Sequence, residues 1–102
     1  MAEEQVRQKP NDINAEAAVL SAMMLDNFVL AKAIENLETD HFYRKTHQII
    51  FRNIVELFQQ NIEVDIITLI DRLKTNVELE KVGGEAFINE LSDVVMSGAN
   101  AE

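Results

Sequence analysis

The stretch DHFYRKTHQIIF, from Asp40 to Phe51, decides the fold of this chain, because it joins a turn to the longest amphipathic segment. It contains both histidines, the only tyrosine and two of the five phenylalanines of the sequence. From about Thr46 to Gln60, apolar residues recur with the 3.6-residue period of a helix. The spacing predicts a central helix, whose buried side is formed by His47, Ile50, Phe51, Ile54, Leu57 and Phe58.

Two helices are predicted before this stretch. The first begins at Asp12, which we expect to be its N-cap, and its buried side is formed by Val19, Leu20, Met23 and Met24. Asp26 is expected to cap the second helix, whose inner face consists of Leu30, Ile34 and Leu37.

Two further helices are predicted after the central one. The carboxylate of Asp65 is expected to cap the first of them near Thr68. The segment VGGEAF then predicts a loop in which Gly83 or Gly84 has a positive φ or allows a neighbouring helix to approach. The last helix is marked by Gly84, Phe87, Ile88, Leu91 and Val95.

Three glycines and one proline in 102 residues leave few positions for tight turns. The sequence therefore predicts an all-α fold, a compact orthogonal bundle of about five to six short helices. Residues 1–9 are predicted to be a flexible N-terminal tail, since Pro10 favours an extended conformation at Lys9. Residues 10–102 are predicted to form one helical domain.

The composition indicates contact with proteins. The net charge of −9 opposes direct binding to nucleic acid, because such binding depends on Lys and Arg. An acidic surface suits a basic or mixed protein partner instead. The absence of cysteine removes disulfides and thiolate metal sites and suits a cytoplasmic protein. No apolar run approaches the ~20 residues of a membrane span.

The residues Asp40, His41, Tyr43 and His47 could form a metal site or an acid–base pair. His41 and His47 are separated by a helix break, however, unlike the i, i+4 histidines of a helical zinc site. We favour an interpretation in which Phe42 and Tyr43 cover the end of the core, and His47 caps or hydrogen-bonds in the first turn of the long helix. No catalytic, metal or cofactor-binding residue is predicted, and VGGEAF lacks the sequence of a phosphate-binding loop.

Four segments carry a family pattern, AEAAVLSAMMLDN, DHFYRKTHQIIF, EVDIITLIDRL and LEKVGGEAFINELS. In this order, and covering roughly residues 10–100, they resemble the N-terminal domain of DnaB-type replicative DNA helicases. The chain departs from the family at Thr46, where proline is frequent, at Ser21 and Ala22, and at the turn of residues 62–64. Thr46 supplies a hydroxyl that can cap the helix instead.

The resemblance implies an intact protein that is a hexameric, ring-shaped ATPase unwinding DNA in the bacterial cytoplasm. ATP and Mg²⁺ would bind to its C-terminal RecA-like motor, which this chain would lack together with the helical hairpin after the head. The chain would be the head of the N-terminal collar, neither an enzyme nor a cofactor-binding domain. It would support assembly of the homohexamer and recruit primase and, in some members, a helicase loader. Without the hairpin, we expect a monomer or a weak dimer.

Glu16 on the first helix and Phe87 in the VGGEAF region are the candidate partner-binding residues under this resemblance. Phe87 is also a candidate core residue, because it lies one helical turn before Leu91. Two other functions stay open, a free-standing acidic helical adaptor protein with the same head fold and a small hydrolase using His41 or His47.

Overall fold

The computed structural model describes residues 12–96, and these residues form five α-helices and two 3₁₀ turns without any strand. The helices are α1 (Asp12–Leu25), α2 (Asn27–Asn36), α3 (Lys45–Gln59), α4 (Ile66–Thr75) and α5 (Gly84–Met96). The turns are Thr39–His41 and Glu80–Val82. The predicted all-α bundle is therefore confirmed. The tail predicted at residues 1–9 lies outside the described residues.

Two of the three predicted N-caps are confirmed. An Asp26 carboxylate oxygen accepts hydrogen bonds from the N–H of Phe28, at 2.8 Å, and of Val29, at 3.4 Å. Asp65 accepts one from the N–H of Thr68 at 2.8 Å, and Thr68 Oγ1 accepts one in return from the N–H of Asp65 at 3.0 Å. These bonds satisfy N–H groups that a helix leaves without partners at its start. The side chain of Asp12 lies outside the described part of the chain.

The central helix α3 supplies much of the core. Ile50 and Ile54 are completely buried, and the Phe51 ring packs on Phe42 with 4.9 Å between centroids. The prediction that Phe58 is buried is wrong, since 39% of it is exposed. Phe58 shares the angular position of Phe51 but lies two turns further along, in the last turn of α3, beyond the Phe42 contact. The other helices contribute Leu20, Met23, Leu69, Leu73 and Ile88.

Both α3 and α4 end at a residue with left-handed backbone. Asn61 has φ 61° and Val77 has φ 56°. At each end an N–H bonds back five residues, Ile62 to the carbonyl of Leu57 at 2.9 Å and Glu78 to that of Leu73 at 2.8 Å. This arrangement is the Schellman motif, which satisfies the last carbonyls of a helix. Glycine or asparagine normally occupies the left-handed position, so the valine at 77 is unusual.

The first and last helices pack side by side. Among the described elements, α1 makes its most extensive contact with α5, and the buried Ser21 hydroxyl donates to the carbonyl of Ser92 at 3.2 Å. Between residues 12 and 96 no helix combines the length and the apolar character needed to cross a bilayer.

Candidate functional site

The carboxylate of Glu16 joins α1 to the start of α3. It accepts hydrogen bonds from the N–H of Tyr43 and, at 3.4 Å, from the N–H of Arg44. It also lies 2.8 Å from Nδ1 of His47. Only 11% of the Glu16 side chain is exposed. Glu16 therefore acts from another helix as an acceptor for the segment that enters α3.

The residue before α3 provides no side-chain cap of its own. The N-cap residue of α3 is Arg44, whose side chain makes no capping hydrogen bond. Arginine has no side-chain acceptor, so Arg44 cannot form the side-chain cap that Asp26 and Asp65 form at their helices. The carboxylate of Glu16 instead bonds the two N–H groups that directly precede the helix. A negative charge beside a helix N-terminus is also favoured by the helix dipole. The Glu16 carboxylate supplies this negative charge.

His47 is buried, with 1% of its surface exposed. Burial lowers the pKa of its imidazole below the ordinary value of 6.5, although the hydrogen bond with Glu16 opposes this shift. The ring is therefore neutral at pH 7, with its Nδ1–H donating to Glu16. The predicted hydrogen bond of His47 in the first turn of the long helix is confirmed.

The other histidine has a separate environment. His41 is exposed, and its Nδ1 accepts the N–H of Glu38 at 3.0 Å. Within residues 12–96 no group of three His, Cys, Asp or Glu side chains is arranged to hold a metal ion. The two histidines thus make hydrogen bonds in different parts of the chain, His41 to Glu38 and His47 to Glu16.

The prediction that Phe42 and Tyr43 both cover the core is correct only for Phe42. Phe42 is 3% exposed, whereas Tyr43 is 53% exposed. Phe42 has extended backbone, with φ −91° and ψ 130°, and side chains of consecutive extended residues point to opposite sides. Tyr43 therefore points to solvent directly beside the Glu16 anchor.

Arg44 connects this anchor to Phe87. The centre of its guanidinium lies 5.7 Å from the centroid of the Phe87 ring, which is a cation–π distance. Gly83, with φ 105°, lies directly beneath Phe87, because a Cβ on Gly83 would be 3.0 Å from the Cβ of Phe87. Gly84 also has a positive φ, of 80°, so the predicted glycine conformation is confirmed.

The two residues predicted to bind a partner thus belong to one region, although they are distant in sequence. We call this region the α3 corner and define it as Glu16, Tyr43, Arg44, His47 and Phe87. His47 is buried, the side chain of Glu16 is largely buried, and Phe87 is half-buried. The exposed groups of the corner are the Tyr43 ring and the Arg44 side chain. The sequence patterns had placed Tyr43 over the core and had not singled out Arg44.

A second polar centre lies on α3, and the sequence patterns did not predict it. Asn53 is completely buried, and its Nδ2 donates to the carbonyl of Ile49 at 2.8 Å and to Glu78 at 2.9 Å. Its Oδ1 accepts from Nδ2 of Asn76 at 2.7 Å. An ion pair with Arg52 at 2.7 Å holds Glu78 and lowers the pKa of its carboxyl. This network attaches the α4–α5 connection to α3, and the position of Asn53 between Ile50 and Ile54 was the available signal.

Comparisons with known proteins identify relatives of this chain. Residues 8–102 match the family model described as the DnaB-like helicase N-terminal domain. The Replicative DNA helicase DnaB of Rhodothermus marinus is 41% identical over 96 residues, which are 94% of this chain and 10% of that protein. The Replicative DNA helicase DnaB of Geobacillus stearothermophilus is 38% identical over 96 residues, which are 94% of this chain and 21% of that protein.

A solved structure shows the same fold. The crystal structure of the N-terminal domain of DnaB helicase from Mycobacterium tuberculosis matches with a TM-score of 0.81 and 32% identity, covering 92% of this chain and 65% of that one. The chain spans only 10% and 21% of the two relatives named above, in the region that their family calls N-terminal. On the family model, the relatives and the fold, this chain belongs to the DnaB-like helicase N-terminal domain family.

Proposed function

We propose that this chain is the head of the N-terminal collar of a hexameric replicative DNA helicase, where it supports ring assembly and recruits primase or a loader. The observation that carries the proposal is the family match over residues 8–102. The relatives are named as replicative DNA helicases, and the chain corresponds to one domain of them.

The other functions of the whole protein follow from the same proposal. DNA unwinding would belong to the RecA-like motor, where ATP and Mg²⁺ would bind, and the helicase would work in the cytoplasm. The head would act through protein contacts, because a net charge of −9 repels a phosphate backbone. The free-standing adaptor is the competing function.

Primase contact would use the α3 corner. Tyr43 is 53% exposed, and tyrosine and arginine side chains are enriched among the residues that dominate the energetics of protein interfaces. Arg44 lies over Phe87, so the cation and the ring present one surface. Glu16 would contribute by holding the backbone of Tyr43 and Arg44, and Phe87 by supporting the guanidinium.

The test uses the intact helicase and the primase of the same organism. Tyr43→Ala and Phe87→Ala are expected to weaken primase binding about tenfold each, measured by surface plasmon resonance. Phe28→Ala is the matched control, because Phe28 is 70% exposed and its ring lies 5.9 Å from the Lys32 ammonium. Sedimentation of each variant should show the same hexamer.

Unchanged primase affinity in Tyr43→Ala and Phe87→Ala would refute the proposed contact at the corner. A gene that encodes no motor domain after the head would refute the collar function itself and favour the adaptor. A monomeric intact protein would also contradict the role in assembly.

A further inference from the structure

An apolar groove lies between the end of α1 and the start of α4. Its cavity volume is about 300 Å³, and it is lined by Met24, Leu25, Asp65, Ile66, Ile67 and Ser92. Two of these side chains face solvent although they are large and apolar, since Leu25 is 49% exposed and Ile67 is 78% exposed. The groove is separate from the α3 corner, because Glu16 and Leu25 are roughly 13 Å apart along α1 at 1.5 Å per residue.

A second depression continues the same surface. It is lined by Asn27, Phe58, Asn61, Ile62 and Glu63. The two depressions are neighbours in the chain, since residues 25 and 27 line one each, as do residues 65 and 63. Phe58 is 39% exposed and Ile62 is 38% exposed. We call the combined surface the α1–α4 face, and its exposed large apolar side chains are Leu25, Phe58, Ile62 and Ile67.

The charged residues that line the α1–α4 face are acidic. The described residues that line its two depressions include Asp65 and Glu63 but no Lys or Arg, and Asp26 lies between Leu25 and Asn27 in the chain. A second copy of this chain would bring the same carboxylates against each other if it docked face to face. A positively charged occupant would instead find complementary charge around an apolar centre.

We propose that the α1–α4 face is a docking site for a basic amphipathic helix of another protein. Apolar side chains spaced at i, i+3, i+4 and i+7 would contact Leu25, Ile66 and Ile67, while flanking lysines or arginines would face the carboxylates. The inference goes beyond the proposed function, because it does not require the chain to be part of a helicase.

The test uses the 102-residue chain and a synthetic helical peptide with leucines at those positions and lysines beside them. Binding is measured by isothermal titration calorimetry. Ile67→Ser and Leu25→Ser are expected to weaken the peptide about tenfold or more. Val77→Ser is the matched control, since Val77 is 80% exposed and lies just beyond the other end of α4. The affinity of this variant for the peptide should stay within about twofold of that of the unaltered chain. A peptide with glutamates in place of the lysines should not bind.

Circular dichroism establishes that each variant is folded. Equal weakening by Ile67→Ser and Val77→Ser, or none by either, would overturn the proposal, because the peptide would then bind by net charge alone. Equal binding of the glutamate peptide would overturn the charge argument. If Ile67→Ser changed only the sedimentation of the protein alone, the occupant would be a second copy, and the proposal would be wrong.

Discussion

The Glu16 carboxylate and the His47 imidazole lie 2.8 Å apart across 31 positions of the chain, and they join α1 to the first turn of α3. The same carboxylate accepts the N–H groups of Tyr43 and Arg44. One largely buried side chain is therefore bonded to the backbone that carries the exposed side chains of the α3 corner.

Replacement of Glu16 is expected to destabilise the domain. Glu16→Ala should lower the free energy of unfolding by about 2–4 kcal/mol, because it leaves several donors without an acceptor, one of them buried. Glu16→Gln keeps one acceptor oxygen and should cost about 1–2 kcal/mol. Urea denaturation measures both values. The control is Glu90→Gln, an exposed carboxylate on α5, and a Glu16→Ala variant no less stable than this control would contradict the role of the anchor.

The domain should become less stable as the pH falls, because His47 then becomes protonated. Its folded pKa lies below 6.5, chiefly because of burial, and the unfolded value is about 6.5. The unfolded chain then binds more protons, so this stability is fully present above about pH 6.5 and is lost as the pH falls towards the folded pKa. Denaturation midpoints between about pH 7.5 and pH 5.5 should show the loss.

Two variants separate this effect from other titrations. His47→Gln should reduce the dependence of stability on pH in this window, whereas Phe28→Ala should retain it, because Phe28 is exposed and carries no titratable group. An identical pH profile for His47→Gln and the unaltered chain would show that His47 is not its source.

The two glycines of VGGEAF should differ in their tolerance of alanine. Both have positive φ, so either substitution should cost about 1–2 kcal/mol in backbone strain. Gly83→Ala should cost about 1 kcal/mol more, because its Cβ would be 3.0 Å from the Cβ of Phe87, while nothing lies within 4 Å of a Cβ at Gly84. Thermal denaturation compares the two variants. Equal losses of stability would mean that the Phe87 side chain can move aside at no cost in free energy.

Val77 offers a stabilising substitution. Its φ of 56° is unfavourable for a β-branched residue, and 80% of the side chain is exposed, so little packing would be lost. Val77→Asn should raise the free energy of unfolding by about 1 kcal/mol, because asparagine tolerates the left-handed region. Val77→Thr is the control, since it keeps the branched Cβ. If both variants were equally stable, backbone strain at position 77 would not be the cause.

The parts of the fold that depend on neighbouring residues could be predicted from the sequence. The caps at Asp26 and Asp65 bond to groups two or three residues away, and the period of Ile50, Ile54 and Leu57 marks the face of a single helix. Such features need no knowledge of how the helices are arranged.

The features that depend on the arrangement of helices could not be predicted. Glu16 was selected as a partner-binding candidate from a resemblance, yet nothing in its neighbourhood indicated that its carboxylate would meet His47. Periodicity also assigned Phe58 to the core, because the helical period defines an angle around an axis and not the length over which neighbours extend. Asn53 shows the same limit, since its partners lie on segments 23 and 25 positions away.

The contact between Ser21 and Ser92 spans 71 positions of the chain, and it closes the packing of α1 on α5. During synthesis the ribosome releases α1 long before α5 exists. The side of α1 that packs on α5 then stays accessible until nearly all of the domain has emerged, although α2 and α3 can pack on α1 earlier. The order of translation therefore means that, among the described helices, α1 is synthesised first and its most extensive contact forms last.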